Sequence, residues 1–198
     1  MPTQQTVIAF AVVAIGLVLV PGPSNFFLLA QGIGHGRRAA LTAAAGIEAA
    51  ALVRILLAAT GLAAVPASSA VAFETIRWAG AGYLVVLGVR AWRAGPPAPA
   101  PGSARRGFVV GLANPKMIAF HLAFFPQFVY PDRGSAAGQI LVLGAVFWAI
   151  GAVWDVAFAC ASGSIGSWLR RRPGIAAAQP RVEGLAYWGL AGWAAVTR

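Results

Sequence analysis

The sequence predicts an all-α integral membrane protein of six transmembrane helices, arranged as two inverted three-helix repeats with broken first and fourth helices. Three observations carry that expectation. The 198 residues are 59% hydrophobic and only 10% charged, with a mean hydropathy of +0.75, too little polar surface for a soluble domain of this length. Six apolar segments follow one another, each near the ~20 residues that cross a bilayer. Two of them, in corresponding places of the two halves, are interrupted by proline at membrane depth.

The first segment runs from about Thr6 to Ala30. The N-terminal MPTQQTVIAF lacks a basic n-region, so it reads as the start of a retained span and not as a cleaved signal peptide. Further segments follow at Ala39–Ala64 and Ala70–Trp92, then at Gly107–Val129, Ala136–Trp168 and a short Val182–Val196. Between the third and fourth lies AGPPAPAPGSARRG, whose proline content suits a solvated polyproline-like connection. The chain therefore reads as a single domain, 1–198, with repeat one at about 1–93, a linker at about 94–106 and repeat two at about 107–198. An odd number of spans per half inverts the second repeat relative to the first.

Lys and Arg outnumber Asp and Glu 15 to 5, for a net charge of +10. They gather in short segments between apolar runs: Arg37 and Arg38 after the first span, Arg90, Arg93, Arg105 and Arg106 around the linker, and Arg170, Arg171, Arg172 and Arg181 before the last span. Those alternate loops are assigned to the cytoplasm, which puts both termini outside. The placement fixes orientation and builds no basic, aromatic-lined face for a nucleic acid, so no nucleic-acid partner is expected. The lone Cys160 excludes an internal disulfide. The sequence offers no nucleophile–base pair, no Cys/His cluster at metal-ligand spacing and no glycine-rich nucleotide loop. It is therefore read as no enzyme, with no metal and no cofactor, and an ATP-driven pump would need another subunit.

The first span is interrupted at Pro21-Gly22-Pro23 and the fourth at Asn114-Pro115-Lys116. Gly22-Pro23 and Asn114-Pro115 each read as an N-cap followed by a restarted helix, since proline suits the first helical position and forces its predecessor out of the α region. A restarted helix presents backbone N–H groups and its positive end at membrane depth, which suits a carboxylate. Ser24 and Asn25 add a hydroxyl and an amide at the first break, and Lys116 adds a cation at the second. Matched broken helices in inverted halves point to a transporter's substrate site, with Gly22, Pro23, Ser24, Asn25, Asn114, Pro115 and Lys116 as candidates. The other reading is that the prolines merely kink helices whose freed carbonyls find neighbours or water.

PGPSNFFLLAQGIGHGRRAALTAAAGI, with GFVVGLANPKMIAFHLAFFPQFV in the second half and IRWAGAGYLVVLGVRAWR in the third span, resembles the bacterial LysE/RhtB family of amino-acid exporters. The resemblance covers nearly the whole chain, with PGP, NPK and PQF in the family's order. It implies a multi-pass carrier of the bacterial inner membrane that exports amino acids or close derivatives, driven by the proton motive force, with six spans and a homodimeric assembly. Amino-acid substrate, protons and the lipid bilayer are the partners it implies. The chain departs from the family in placing Glu48 between the small residues Gly46 and Ala50, in having Gly151 where the family commonly has an acid, with Asp155 one turn later, and in carrying Arg54.

Ionisable groups inside spans are costly in hydrocarbon unless paired or wet, which makes each a functional hypothesis. Glu48 lies near the depth of both breaks and reads as a partner for a substrate ammonium or as a proton carrier. Its alternatives are a protonated buried carboxyl or a structural partner of Lys116 or an arginine. Asp155, nearer the cytoplasmic end of its span, is assigned the proton step. Glu48 and Arg54 lie about 120° apart around one helix and about 9 Å along it, so they do not simply pair. Arg54 and His121 read as makers of structural hydrogen bonds or as snorkelling side chains. Trp92 and Trp168 fit the interfacial belt, whereas Trp148 and Trp154 sit deeper. Two further functions stay open at this stage, a carrier of another small solute such as a cation and a non-transporting membrane scaffold.

Overall fold

The computed structural model describes residues 1–63 and 104–170, together with isolated helical positions between 75 and 93 and between 174 and 192. Every regular element among the described residues is helical. Helix α1, Gln4–Leu19, starts behind Thr3, whose hydroxyl accepts the Thr6 N–H at 3.2 Å. It stops because Pro21 drives Val20 out of the helical region, to φ −69° and ψ 116°. Helix α2, Pro23–Ala63, restarts at once, with the Gly22 carbonyl accepting the Phe26 N–H at 3.1 Å, so Gly22 is the N-cap and Pro23 the first helical residue.

Where the sequence leaves several residues between its first two spans, α2 turns at a single one. Gly36 adopts φ 83° and ψ 172° while the residues on either side stay helical. Only a residue without a Cβ takes that φ at low cost, so the turn needs no loop. Arg37 and Arg38 consequently lie on the helix just after it, exposed.

The fourth span is two helices, α3 (Ala104–Leu112) and α4 (Pro115–Ala123), followed by a 3₁₀ turn at Phe125–Phe128. Their axes bend by 46° across the break. Arg105 and Arg106, which the sequence assigns to the linker, stand in the first turn of α3. That earlier start follows from packing, because the Ala104 carbonyl lies directly against Gly46. Helix α5, Ala136–Arg170, is capped by Ser135, whose hydroxyl accepts the Gly138 N–H at 3.3 Å.

By length and composition two described helices can cross a membrane, or three when the bent pair counts as one span. The third and sixth expected spans and most of the linker lie outside the described residues. Of their isolated positions, Trp92 and Trp188 stack with ring centroids 5.4 Å apart, and the Trp188 indole donates to the Val85 carbonyl at 3.3 Å.

Glycine sets the closest helix crossing. Gly46 faces the Ala104 carbonyl, Gly107 faces the Ala43 carbonyl, and a Cβ at Gly111 would come 3.0 Å from both the Ile47 Cα and the Ala50 Cβ. Gly46/Ala50 on α2 and Gly107/Gly111 on α3 are thus two small-residue faces at i, i+4 spacing, which let backbones touch where hydrocarbon gives no hydrophobic drive. The contact holds the middle of α2, including Glu48 and Arg54, against the end of α3 at the second break. On the other side Phe10 of α1 packs on Phe120, Phe125 and Phe128, at 6.0, 5.4 and 5.3 Å between centroids.

Candidate functional site

The two breaks meet. The Asn114 amide donates to the Ser24 hydroxyl at 2.7 Å, joining residues that are 90 apart in sequence. Each amide also orders its own restart. The Asn114 Oδ1 accepts the Lys116 N–H at 3.1 Å, and the Asn25 Oδ1 accepts the Gly22 N–H at 3.2 Å. Asn114 does this as an N-cap, because the first N–H groups of a helix have no partner within it, and Asn25, in the first turn of α2, reaches back to the N–H of its N-cap.

At the opposite ends of the broken helices a buried cation reaches the last-turn carbonyls of each. Lys116 Nζ donates to the Val20 carbonyl at 2.6 Å and to the Leu17 carbonyl at 3.3 Å, closing the last turn of α1. Arg54 Nη1 donates to the Gly111 carbonyl at the end of α3. Positive charge at a helix C-terminus is favoured by the dipole as well as by hydrogen bonding, and at 1% and 7% exposure neither cation reaches bulk solvent. Gly22 has no side chain because Lys116 fills that space: a Cβ there would sit 3.1 Å from Nζ and 3.2 Å from Cε.

Beside the breaks, Ser24, Asn25, Glu48, Arg54, Trp148, Trp154 and Asp155 line a cavity of about 30 Å³ together with the apolar Val18, Ile47, Met117 and Phe147. That volume holds one or two waters. Glu48 and Asp155 approach each other carboxyl to carboxyl, with Arg54 the cation acting on both and Lys116 acting on Asp155. Asn25 Nδ2, Glu48 Oε2, Arg54 Nε, Trp148 Nε1 and Trp154 Nε1 are buried without a hydrogen-bond partner. Every one of these residues lines the same cavity. Buried polar groups in proteins are satisfied as a rule, and each exception asks for an explanation.

Of the residues singled out in the sequence, Ser24, Asn25, Glu48 and Asp155 line the cavity. Gly22, Pro23, Asn114, Pro115 and Lys116 instead build the breaks behind it, and the Lys116 ammonium is directed to helix carbonyls. Arg54 acts as a structural hydrogen-bond donor but does not snorkel, being 7% exposed. Sequence reasoning passed over Arg54, Trp148 and Trp154 as cavity residues. The signal for one of them was present, since Trp148, Gly151 and Asp155 fall at i, i+3, i+7 and so share one face of α5.

Two helix breaks that meet beside a cavity bearing several polar side chains suit a membrane carrier. The chain belongs to the LysE type translocator family, whose model matches residues 15–195. It is 33% identical over 172 residues to an uncharacterized membrane protein of Vibrio cholerae, covering 82% of this chain and 83% of the relative. It is 33% identical over 163 residues to a homoserine/homoserine lactone efflux protein of Salmonella typhimurium, 78% of this chain and 79% of the relative. A leucine efflux protein of Enterobacter is 35% identical over 144 residues, 68% of each chain. No solved structure matches this chain.

Proposed function

We propose that the protein exports amino acids or close derivatives from the cytoplasm across the bacterial inner membrane, as a secondary transporter that exchanges them for protons. The observation that carries this reading is the set of unpartnered polar atoms around one cavity. Four of them, on Asn25, Arg54, Trp148 and Trp154, are donors, and the fifth, on Glu48, is a carboxyl acceptor. A solute that satisfies them all needs an oxygen acceptor at one end and a cationic donor at the other, which is the α-carbon chemistry of an amino acid. Three of the four donors are neutral, so an ester carbonyl can stand in for a carboxylate, in keeping with a relative named for homoserine and its lactone.

The cavity is far smaller than such a solute, so this conformation is closed around the site, and transport requires the helices to separate at the breaks. The Glu48–Asp155 pair supplies a proton that can be exchanged when substrate enters. Substrate efflux from loaded proteoliposomes, run separately with radiolabelled amino acids and with inorganic cations, tests the reading: amino acids are expected to leave and cations to stay. Release of cations alone would replace it.

The arginine distribution supports both termini outside. Reporter fusions at Gly102 are expected to read cytoplasmic and fusions after Arg198 periplasmic, and a periplasmic signal at Gly102 would reverse the topology.

A further inference from the structure

Rings stop one end of the polar cavity. Val18 and Phe147 line it and also belong to the main apolar core. Phe10 lies eight residues from Val18 toward the start of α1, and Phe147 lies eight residues from Asp155 toward the start of α5, about 12 Å along each helix. That core therefore runs from the cavity toward the end of the molecule that carries Thr3 and the Pro131–Arg133 turn. Along it Phe10 meets Phe120, Phe125 and Phe128, and Phe120 stacks on Phe147 at 4.9 Å between centroids. Phe125 and Phe128 are the two ends of the 3₁₀ turn, so the PQF stretch supplies the part of this plug that faces α1.

The two sides of the plug are held unequally. The chain that follows the 3₁₀ turn is pinned to α5 by the buried Gln139, whose Oε1 accepts the Tyr130 N–H at 3.0 Å and whose Nε2 donates to the Tyr130 and Gly134 carbonyls at 2.8 and 3.2 Å. Toward α1 the tie is looser. The Arg133 guanidinium lies over the Tyr130 ring at 4.4 Å and reaches the Thr3 and Thr6 hydroxyls at 3.5 Å each, the long limit of a hydrogen bond. The other end of α1 is fixed, with Lys116 on the Val20 and Leu17 carbonyls and the joint at Pro21-Gly22-Pro23 just beyond. Ile8, Val12, Ile15 and Leu19 of α1 are exposed, and apolar contacts between helices exchange for lipid at little cost.

We propose that α1 is the gate at this end of the site, a lever hinged at the first break, with Arg133 as its latch. Swinging its far end takes Phe10 off Phe120, Phe125 and Phe128 and opens the cavity to the face that carries Arg133, while the turn stays pinned to α5. On the arginine distribution that face is outside, which makes α1 the exit gate for an exported solute. The functional role rests on the carrier reading above; the motion is tested without substrate.

Zinc bridging of the latch tests it in the full chain, with Thr3→His and Arg133→His in place of the latch pair, Cys160→Ser removing the native thiol and Val18→Cys reporting on the cavity. A membrane-impermeant maleimide is applied to spheroplasts and, for the opposite face, to inverted vesicles. Without zinc, Val18→Cys is expected to react from the face that carries Arg133. Zn²⁺ bridges two imidazoles in the closed form and not in the open one, so at ten times its dissociation constant it should slow that reaction by about tenfold. A chelator should restore the rate, and Arg133→His alone should not respond to zinc. An unchanged rate with zinc bound, the binding shown by raised thermal stability, would overturn the proposal, as would labelling from the opposite face alone or from neither. A zinc-sensitive gate in a protein that moves no amino acid would instead remove the export reading and leave the gate standing.

Discussion

Lys116→Ala is expected to reduce amino-acid efflux to background, and Lys116→Arg is expected not to restore it. The lysine is 1% exposed, and its ammonium closes the last turn of α1 through the Val20 and Leu17 carbonyls. Alanine leaves the Val20 carbonyl without that donor, at about 1–3 kcal/mol for an unsatisfied buried group, while the Leu17 carbonyl keeps the Val20 N–H at 3.2 Å, and opens a void where the butyl stem lay. The first break then loses a clamp that holds it beside the second, the Ser24–Asn114 hydrogen bond remaining between them. Arginine keeps the charge but not the shape. Nζ, Cε and Cδ already lie 3.1–3.4 Å from where a Cβ on Gly22 would be, and a planar guanidinium needs more room than the ammonium it would replace. Efflux measured at matched incorporation, with thermal stability measured in parallel, separates a lost clamp from lost folding, and Lys116→Met, which fills the volume without a donor, isolates the hydrogen bonds. Full efflux in Lys116→Ala at equal abundance would show that the break is a passive kink.

Asp155→Asn is expected to cut pH-gradient-driven efflux by at least about tenfold while sparing exchange of substrate between compartments of equal pH. Glu48→Gln is expected to impair both. The two carboxyls face each other, and an asparagine at 155 offers Glu48 a permanent donor in place of a transferable proton. The geometry is expected to survive that change and the coupling to be lost. Glu48 carries the further duty of its unpartnered Oε2, the one acceptor among the orphan atoms of the cavity. Losing a hydrogen bond to a substrate ammonium costs about 1.5–3 kcal/mol, roughly 10- to 100-fold in affinity, so Gln at 48 weakens exchange as well as driven efflux. Gradient-driven efflux by Asp155→Asn at the wild-type rate would make Asp155 structural and leave the proton step to Glu48 or to neither.

Local backbone chemistry was legible in the sequence. Proline and glycine write their own conformations, so the interruptions at Pro21-Gly22-Pro23 and Asn114-Pro115-Lys116 appear as helix restarts with Gly22 and Asn114 as N-caps. The start of α5 at Ala136 coincides with the end of a polar turn. Long side chains were not legible in the same way. Lys116 reads as a cation available to a substrate, because nothing in the sequence says that the end of α1 passes beside the start of α4. Arg54 likewise finds its acceptor, Gly111, 57 residues away, through a helix crossing that the glycines permit but do not announce. Trp148 and Trp154 read as packing because tryptophan in an apolar run usually is; their unpartnered indole N–H groups exist only once α5 is set against Glu48 and Asn25.

On this reading, one cavity beside two helix breaks holds both ends of an amino acid, oxygen acceptors against Asn25, Arg54, Trp148 and Trp154 and an ammonium against Glu48. Competition for uptake of a labelled amino acid into proteoliposomes tests it most directly, using three unlabelled competitors with the same side chain: the amino acid, its decarboxylated amine and the acid lacking the amino group. The amino acid alone is expected to compete at concentrations near its own affinity, with each truncated analogue weaker by about tenfold or more, the scale of one or two lost hydrogen bonds to buried partners. Equal competition by the amine would contradict this, because the four donors would then have no part in recognition, and equal competition by the acid would contradict it by leaving Glu48 without one.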